Sequence, residues 1–370
     1  MFREILKRPG SGKEKLKMLL IYLSRKRGAK KAWDARHGIV FDHHPEFNSE
    51  LDKGLRSAHR EVWEPFNRSF NDATLKICRS TSGSVKPNPL IIPEEIFQTD
   101  IEPSLNRHPE AHYLAHKSFY NRLYEKGVFP DDLLHVVNGE LLDDRYKTID
   151  IGQAEALVEN FSYPLVVKPN IDTWGGSEIQ FVKGAKTLKK VIRSKQNIVV
   201  QKKILQHTEL AKYHEKSLNT VRVYLYKSVS DNSVHIVNTV FRMGNGMPID
   251  NVASGGLVSL VKDDGFMHGY ALDRYGKKYT EHPLSGLPFT GEIPEFGELQ
   301  NLATEIARKL FLLRVVGLDL CYDESGRWRA IEINTKGHSI RFAQYAGVPF
   351  FGNFTPEVIS YCKKNHWAIT

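Results

Sequence analysis

"RWRAIEINTKGH", residues 327–338, carries a contradiction on which the reading of the whole chain turns. Ala330, Ile331 and Ile333 suit a buried strand, yet Glu332 and Asn334 break the apolar run at a spacing of two. Strand side chains alternate between faces, so the two polar groups share one side of a sheet. "VVGLDLCYD", 315–323, precedes this stretch, and "ESG", 324–326, separates the two. A turn centred between Ser325 and Gly326 places Asp319 opposite Glu332, with Asn334 one step along on the same face. Like charges directly opposed destabilise a sheet, and a buried carboxylate without a partner is costly. Something positive must sit there. Two carboxylates and an amide form an oxygen-only set, which suits a hard cation such as Mg²⁺. The alternative is a carboxylate pair neutralised by Lys or Arg, for which Lys336 and Arg314 are at hand.

An upstream hairpin repeats the logic with the opposite sign. "TVRVYLYKSV", 220–229, and "VHIVNTVFRM", 234–243, read as paired strands around a loop Asp231-Asn232-Ser233. That loop makes Val223 face Phe241 and Val221 face Met243, leaving Arg222 opposite Arg242 on the polar side. Two opposed guanidiniums call for an anion, and Arg grips phosphate or carboxylate in a bidentate fashion. The bland alternative gives each its own surface carboxylate. Further upstream, "VVKPNIDTWGGSEI", 166–179, sets Lys168 after a buried strand and before a loop with Gly175 and Gly176. Glycines let backbone close over phosphates while Lys supplies a point charge. By itself that string is weak, because many hairpin loops share it.

The rest of the chain bounds the class. It has 370 residues, 41% hydrophobic and 26% charged, long enough for two or three packed units. A net charge of +9 favours an anionic partner, a solvated basic surface being the bland reading. Cys78, Cys321 and Cys362 show no metal-ligand spacing and no disulfide framework, as expected of a reducing compartment. "MLLIYLS", 18–24, is too short to span a bilayer. A cytoplasmic protein is therefore expected. The basic segment 13–31 reads as a helix that either belongs to the fold's surface or rests on acidic headgroups. "PGSGKE", 9–14, fails as a phosphate loop, since Glu14 stands where Ser or Thr is needed and no strand precedes it. Residues 49–80 and 108–127 read as helical, and "KPNPLIIP", 86–93, as an extended linker. Residues 297–313 form an amphipathic helix with Leu302, Ile306, Leu310 and Leu313 on one stripe. His108, His112 and His116 recur at helical spacing, more often a packed or solvated face than a metal site. Strands and helices mixed in this way indicate an α+β architecture.

Taken in order, these parts resemble an ATP-grasp enzyme. The likeness sharpens over "QHTELAKYHEKSLNTVRVYLY" (206–226), "VFRMGNGMPIDNVASGGLVSLV" (240–261), "HPLSGLPFTGEIPEF" (282–296) and "VVGLDLCYDESGRWRAIEIN" (315–334). These landmarks resemble the sugar-transfer-associated ATP-grasp family, over residues 108–350; Ile333 stands where that pattern has Gly, on the face away from the ligands. The resemblance implies two α+β subdomains sandwiching ATP, at 108–205 and 206–370, behind a basic, mostly helical N-terminal region at 1–107. It also implies that Lys117 and Lys168 contact nucleotide phosphates and that Gly175, Gly176 and Ser177 form a lid. Gln201, Lys202, Lys203 and Ile204 match the linker whose backbone reads adenine. Arg222 and Arg242 would hold the γ-phosphate and an acyl phosphate, and Asp319, Glu332 and Asn334 one or two Mg²⁺ ions. His207, Asn251, Gly255 and Gly256 match landmarks near the acceptor without an assigned role.

Enzymes of that fold activate a carboxylate as an acyl phosphate for attack by an amine, which needs charge neutralisation rather than a protein nucleophile. The expected function is thus an ATP- and Mg²⁺-dependent ligase joining small carboxylate and amine substrates. The family's associations point to sugar-linked substrates and surface-polysaccharide assembly, at the inner face of the membrane. Two other functions compete: a kinase of the same fold acting on a sugar hydroxyl, and a basic binding module. Aromatics do not interleave with Lys and Arg as a nucleic-acid platform requires, so no nucleic-acid partner is expected.

Overall fold

A computed structural model describes residues 1–83, 87–171, 178–246 and 255–369. Two antiparallel sheets organise it. The smaller, in the order β2-β1-β5-β3-β4, comprises β1 (Asp132–Val137), β2 (Glu140–Asp143), β3 (Leu165–Pro169), β4 (Gln180–Val182) and β5 (Ile198–Lys202). Leu134, Val136, Val167, Ile198 and Val200 alternate onto one face and bury against the helices Ile151–Glu159 and Ala185–Ser194. Their strand neighbours His135, Lys168, Val199 and Gln201 consequently point the other way.

The larger sheet runs β10-β9-β8-β7-β6-β11-β12, with β6 (Thr220–Lys227), β7 (Val234–Met243), β8 (Leu257–Val261), β9 (Ala271–Leu272), β10 (Lys278–Tyr279), β11 (Val315–Tyr322) and β12 (Trp328–Asn334). One face, through Val221, Val223, Leu318 and Leu320, packs on the helix Phe296–Arg308 and on Tyr120, Tyr124 and Phe129. Tyr224, Tyr226, Val240 and Val258 point to the opposite face, where Trp63, Phe97, Ile101, Phe350 and Phe351 cover them. With both faces covered, β11 is buried at every position, which explains its near-continuous apolar run. Asp319 is the charged exception.

The N-terminal region supplies α1 (Phe2–Lys7), α2 (Gly12–His43), α3 (Lys53–Trp63) and α4 (Ala73–Ser82), then a helical segment over 94–105 with a π turn at Phe97–Ile101. The rejected phosphate-loop string turns out to be a helix start. Ser11 Oγ accepts from the Glu14 N–H at 3.3 Å, and the Glu14 carboxylate accepts from the Ser11 N–H at 2.7 Å. Asp100 is wholly buried and ties this region to the C-terminus: Tyr22 Oη donates to it at 2.8 Å and His366 Nε2 lies 3.0 Å away.

Several local readings are corrected. The stretch 108–127 is not one helix but 3₁₀ turns at Pro109–Ala115 and Lys117–Phe119 followed by Tyr120–Leu123, so the three histidines share no helical face. The extended backbone of His116 breaks it. Residues 87–93 have no helix or strand, in keeping with a linker, but they are packed into the fold. Ile91 and Ile92 are fully buried, and Gln344 holds the Ile92 N–H and C=O at 2.9 Å each. The helix expected at 297–313 stops at Arg308, although Leu310 and Leu313 still bury.

The β6–β7 register is offset by two from the one expected. Val221 pairs Phe241 and Arg222 pairs Val240, so Arg242 sits diagonal to Arg222 rather than opposite. The cause is twofold: a turn longer than three residues puts the adjacent pairs off by three, Lys227 facing Val234, and an irregularity between Tyr224 and Leu225 takes one back. Ser228 N–H donates to Ser233 O, Ser228 Oγ accepts from the Ser230 N–H, and Asn232 adopts φ +58°. A shift of two preserves which face each side chain occupies, so both arginines remain on one side.

Candidate functional site

In the last hairpin Asp319 does pair Glu332, but through a device the sequence conceals. Near the turn Tyr322 pairs Trp328 and Leu320 pairs Ala330; beyond it Asp319 pairs Glu332 and Gly317 pairs Asn334. Ile331 is the extra residue, a β-bulge. Strict alternation would put Ala330, Glu332 and Asn334 on one face. The bulge lets Ala330 and Ile333 both enter the core while Glu332 and Asn334 turn to the other side. The outer edge of β12 is held by a preceding segment, with the Ala330 N–H donating to Val128 O at 2.8 Å and the Ile333 N–H to Tyr120 Oη at 3.1 Å.

Across β6, β11 and β12 this register lines up Arg222, Asp319 and Glu332, with Arg242 of β7 diagonal to Arg222 on the same face. Arg222 grips Asp319 with a fork, Nε to Oδ1 and Nη2 to Oδ2, each at 2.6 Å. Arg242 Nη1 reaches Asp319 Oδ2 at 3.2 Å. Against the upward push of burial, these guanidiniums hold the Asp319 carboxyl down at about 2. Lys117 Nζ approaches Glu332 Oε1 at 2.8 Å. Both carboxylates are thus neutralised by cations, as the alternative reading requires, but by Arg222, Arg242 and Lys117 instead of Lys336 and Arg314. Arg314 is engaged elsewhere, donating to the Lys227 and Ser228 carbonyls.

Lys117 is positioned from the smaller sheet. Its N–H donates to Asn170 O at 2.8 Å, and Ser118 Oγ donates to Asn170 Oδ1 at 2.7 Å. Lys168 joins it from β3, with no hydrogen-bond or ion-pair partner for its ammonium among the described residues; burial and the Lys117 charge both lower its pKa. Side-chain exposure is 25% for Glu332 and 19% for Arg222 but only 5% for Asp319 and 6% for Lys117, so the row is open at its ends and closed at Asp319.

The Asp319, Glu332 and Asn334 set suits a hard divalent ion by ligand type. The buried Asn334 Nδ2 has no hydrogen-bond partner among the described residues, and a half-turn of the amide presents Oδ1 in its place. No cluster of three or more His, Cys, Asp or Glu that could hold a metal occurs among the described residues. An ion here would therefore complete its shell with other oxygens, such as water and phosphate.

In the linker, Gln201 is buried and donates from Nε2 to Asp132 Oδ1 at 2.8 Å, whereas Lys202 pairs with Asp131 at 3.1 Å and Lys203 is exposed. Ile204 is half-buried. His207 caps a short helix, Nδ1 accepting from the Glu209 N–H at 3.2 Å. Gly255, at φ +97°, and Gly256 lead into β8. Gly175, Gly176, Ser177 and Asn251 lie outside the described residues.

Three groups at or beside the row escaped the sequence reading. Asp132 is buried on the Lys168 side of the smaller sheet, and burial outweighs Gln201 and Lys168 to raise its carboxyl to about 6. Its apolar strand context was the available signal. Glu102 accepts from the His338 N–H at 2.9 Å, and His338 Nε2 lies 2.9 Å from Asn334 O, fixing the chain beyond the ligand strand. Asn106 donates to Val315 O and Thr335 O and accepts from the Arg314 and Val315 N–H groups. Nothing local in the sequence announces either clamp.

Residues 96–350 match the sequence model of the sugar-transfer associated ATP-grasp family. No curated protein sequence matches. Among solved structures, the ATP-grasp ligase PsnB, complexed with a phosphomimetic variant of minimal precursor, Mg and ADP, is similar at 13% identity and a TM-score of 0.40. That match covers 70% of this chain and 61% of PsnB. Biotin carboxylase from Campylobacter jejuni matches at 14% identity and a TM-score of 0.41, over 69% and 47% of the two chains. N5-carboxyaminoimidazole synthetase from Staphylococcus aureus matches at 10% and 0.36, over 61% and 45%. The chain thus spans less than two thirds of the length of each.

Proposed function

The chain belongs to the sugar-transfer-associated ATP-grasp family, and from that membership we propose that it is an ATP- and Mg²⁺-dependent, ADP-forming carboxylate–amine ligase. The observation that carries the reading is the charge of the row. Arg222, Arg242 and Lys117 outnumber Asp319 and Glu332 even before Lys168 is counted. A surplus of positive charge repels a bare cation but complements a polyphosphate that brings its own metal.

In the proposed reaction a substrate carboxylate oxygen takes the γ-phosphoryl group of ATP and ADP leaves. An amine nitrogen then attacks the acyl carbon, loses a proton, and expels inorganic phosphate. Asp319, Glu332 and Asn334 would hold Mg²⁺, which would supply neutralisation of the phosphate charge. Lys117 and Lys168 would carry the phosphate charge from the side of the smaller sheet. Arg222 and Arg242 would stabilise the charge spreading over the transferring group, using the forked donors now spent on Asp319. Gln201, Lys202, Lys203 and Ile204 would flank the base. Gly175, Gly176 and Ser177 are retained as a cover over the phosphates on sequence pattern alone, and Asn251, Gly255 and Gly256 as the acceptor side. Sugar-linked acids or amines are the substrates the family description favours, and surface-polysaccharide assembly is the setting proposed for them.

Hydroxylamine decides the reaction class. With ATP, Mg²⁺ and the right acid, a ligase yields a hydroxamate and ADP, whereas a kinase acting on a hydroxyl yields ADP and no hydroxamate. Pairs of uronic acids, sugar acids and amino acids, read by ADP release and product mass, identify the substrates. Glu332→Gln is expected to cost about a hundredfold or more in turnover with folding intact. Normal turnover would refute the assignment of metal to this row.

A further inference from the structure

We propose that the outer face of α2 between Lys13 and Lys31 is a docking surface for an anionic lipid bilayer. The inner face is fixed to the fold: Tyr22, Ala29, Trp33, His37 and Val40 are buried, and Trp33 Nε1 donates to Gln98 Oε1 at 2.8 Å. The orientation of the opposite face is thereby set. At about 100° per residue, Lys13, Leu16, Lys17, Leu20, Arg27 and Lys31 fall on that side, with Ile21 at its flank. All are exposed, the aliphatic ones unusually so: Leu16 57%, Leu20 58% and Ile21 44%. Leu6 of the adjoining α1 is exposed by 52%. Between residues 12 and 31 the sole carboxylate is Glu14, already engaged in capping Ser11.

This composition selects its occupant. Cations interleaved with the leucines bar a dry apolar seam, so the face is a poor match for a protein helix or a second copy of the chain. A soluble polyanion would use the lysines but leave the leucines in water. A bilayer surface takes both, the aliphatic tips entering the acyl boundary while the ammonium groups stay among the headgroups. From Lys13 to Lys31 the strip is about 27 Å long and rests in the interface plane. It cannot span the membrane: no helix among the described residues is long and apolar enough for that.

Co-sedimentation of the full chain with vesicles tests this. Partition is expected onto phosphatidylcholine vesicles carrying phosphatidylserine, little onto phosphatidylcholine alone, with loss at high salt. Two double variants separate the contributions, and both change exposed positions only: Leu16→Ser with Leu20→Ser, and Lys13→Glu with Lys17→Glu. Each is expected to weaken partition about tenfold. Only the lysine pair should also weaken retention on heparin. The proposal is overturned if wild-type chain does not partition onto the anionic vesicles. It is equally overturned if the leucine pair partitions like wild type, which would indicate a soluble polyanion, or if partition is replaced by self-association that the leucine pair abolishes.

Discussion

Arg222 shows why the identity of a cation matters as much as its sign. Its two contacts with Asp319 use the planar guanidinium fork, and an ammonium can reproduce only one of them. Arg222→Lys is therefore expected to lower kcat by about tenfold to a hundredfold, although charge is conserved; a near-wild-type kcat would remove Arg222 from the machinery. Asp132 yields a prediction in pH. Its carboxyl rises from an ordinary 3.8 to about 6 on folding, chiefly through burial, so the folded chain keeps a proton that the unfolded chain has lost. Between those values this group makes folding less favourable as pH rises, and the penalty persists above about 6. Asp132→Asn retains an acceptor for Gln201 and is expected to stabilise the chain at neutral pH by about 1–3 kcal/mol. Urea titrations should show the gap from wild type opening as pH rises from about 4 to about 6; a constant gap would mean that Asp132 carries no such shift. The site's carboxylates could be read from spacing because charge inside an apolar strand is conspicuous. The cations that answer them were misjudged, since Lys117 lies more than two hundred positions away and only the fold brings it near.

Among the elements, β12 owes its double role to the bulge at Ile331. Both faces depend on chain length at that point, and little on what side chain stands there. Ile331→Val is expected to leave ATP turnover within about twofold and stability within about 1.5 kcal/mol. Removing Ile331 altogether restores strict alternation and sends either Ala330 or the ligand pair to the wrong face. That deletion is expected to abolish nucleotide-dependent thermal stabilisation or the soluble fold itself. A deletion variant that binds ATP normally would contradict the register. The bulge was invisible beforehand because the turn errs by one and the bulge restores it, so the facing pair came out right for an incomplete reason. The β6–β7 pair has a similar history: the Ser228-centred turn errs by three and an irregularity between Tyr224 and Leu225 takes one back, so the parity read from Val221 and Val223 survives although neither device was legible.

For the whole molecule, the N-terminal region is part of the body and not an appendage. Tyr22 and Lys26 of α2 share the buried Asp100 with His366 from the other end of the chain. Deleting residues 1–31 removes two of those partners and leaves a buried carboxylate undersupplied. The truncated chain is expected to lose at least about 3 kcal/mol or to fail to fold; full solution activity at an unchanged Tm would show the segment to be dispensable. None of this was readable locally, because the partners are separated by nearly the whole sequence. The α+β character was legible, since alternation and turn residues report it strand by strand, whereas the division into two sheets came only from the family resemblance.

Lys117 is anchored to one sheet by its main chain, at Asn170, and to the other by its charge, at Glu332. It therefore ties the two sheets together through one residue. Under the proposed function, an ion taken up by Glu332 would end that tie and leave the ammonium to the nucleotide phosphates, so that loading the site and uncoupling the two sheets would be a single event.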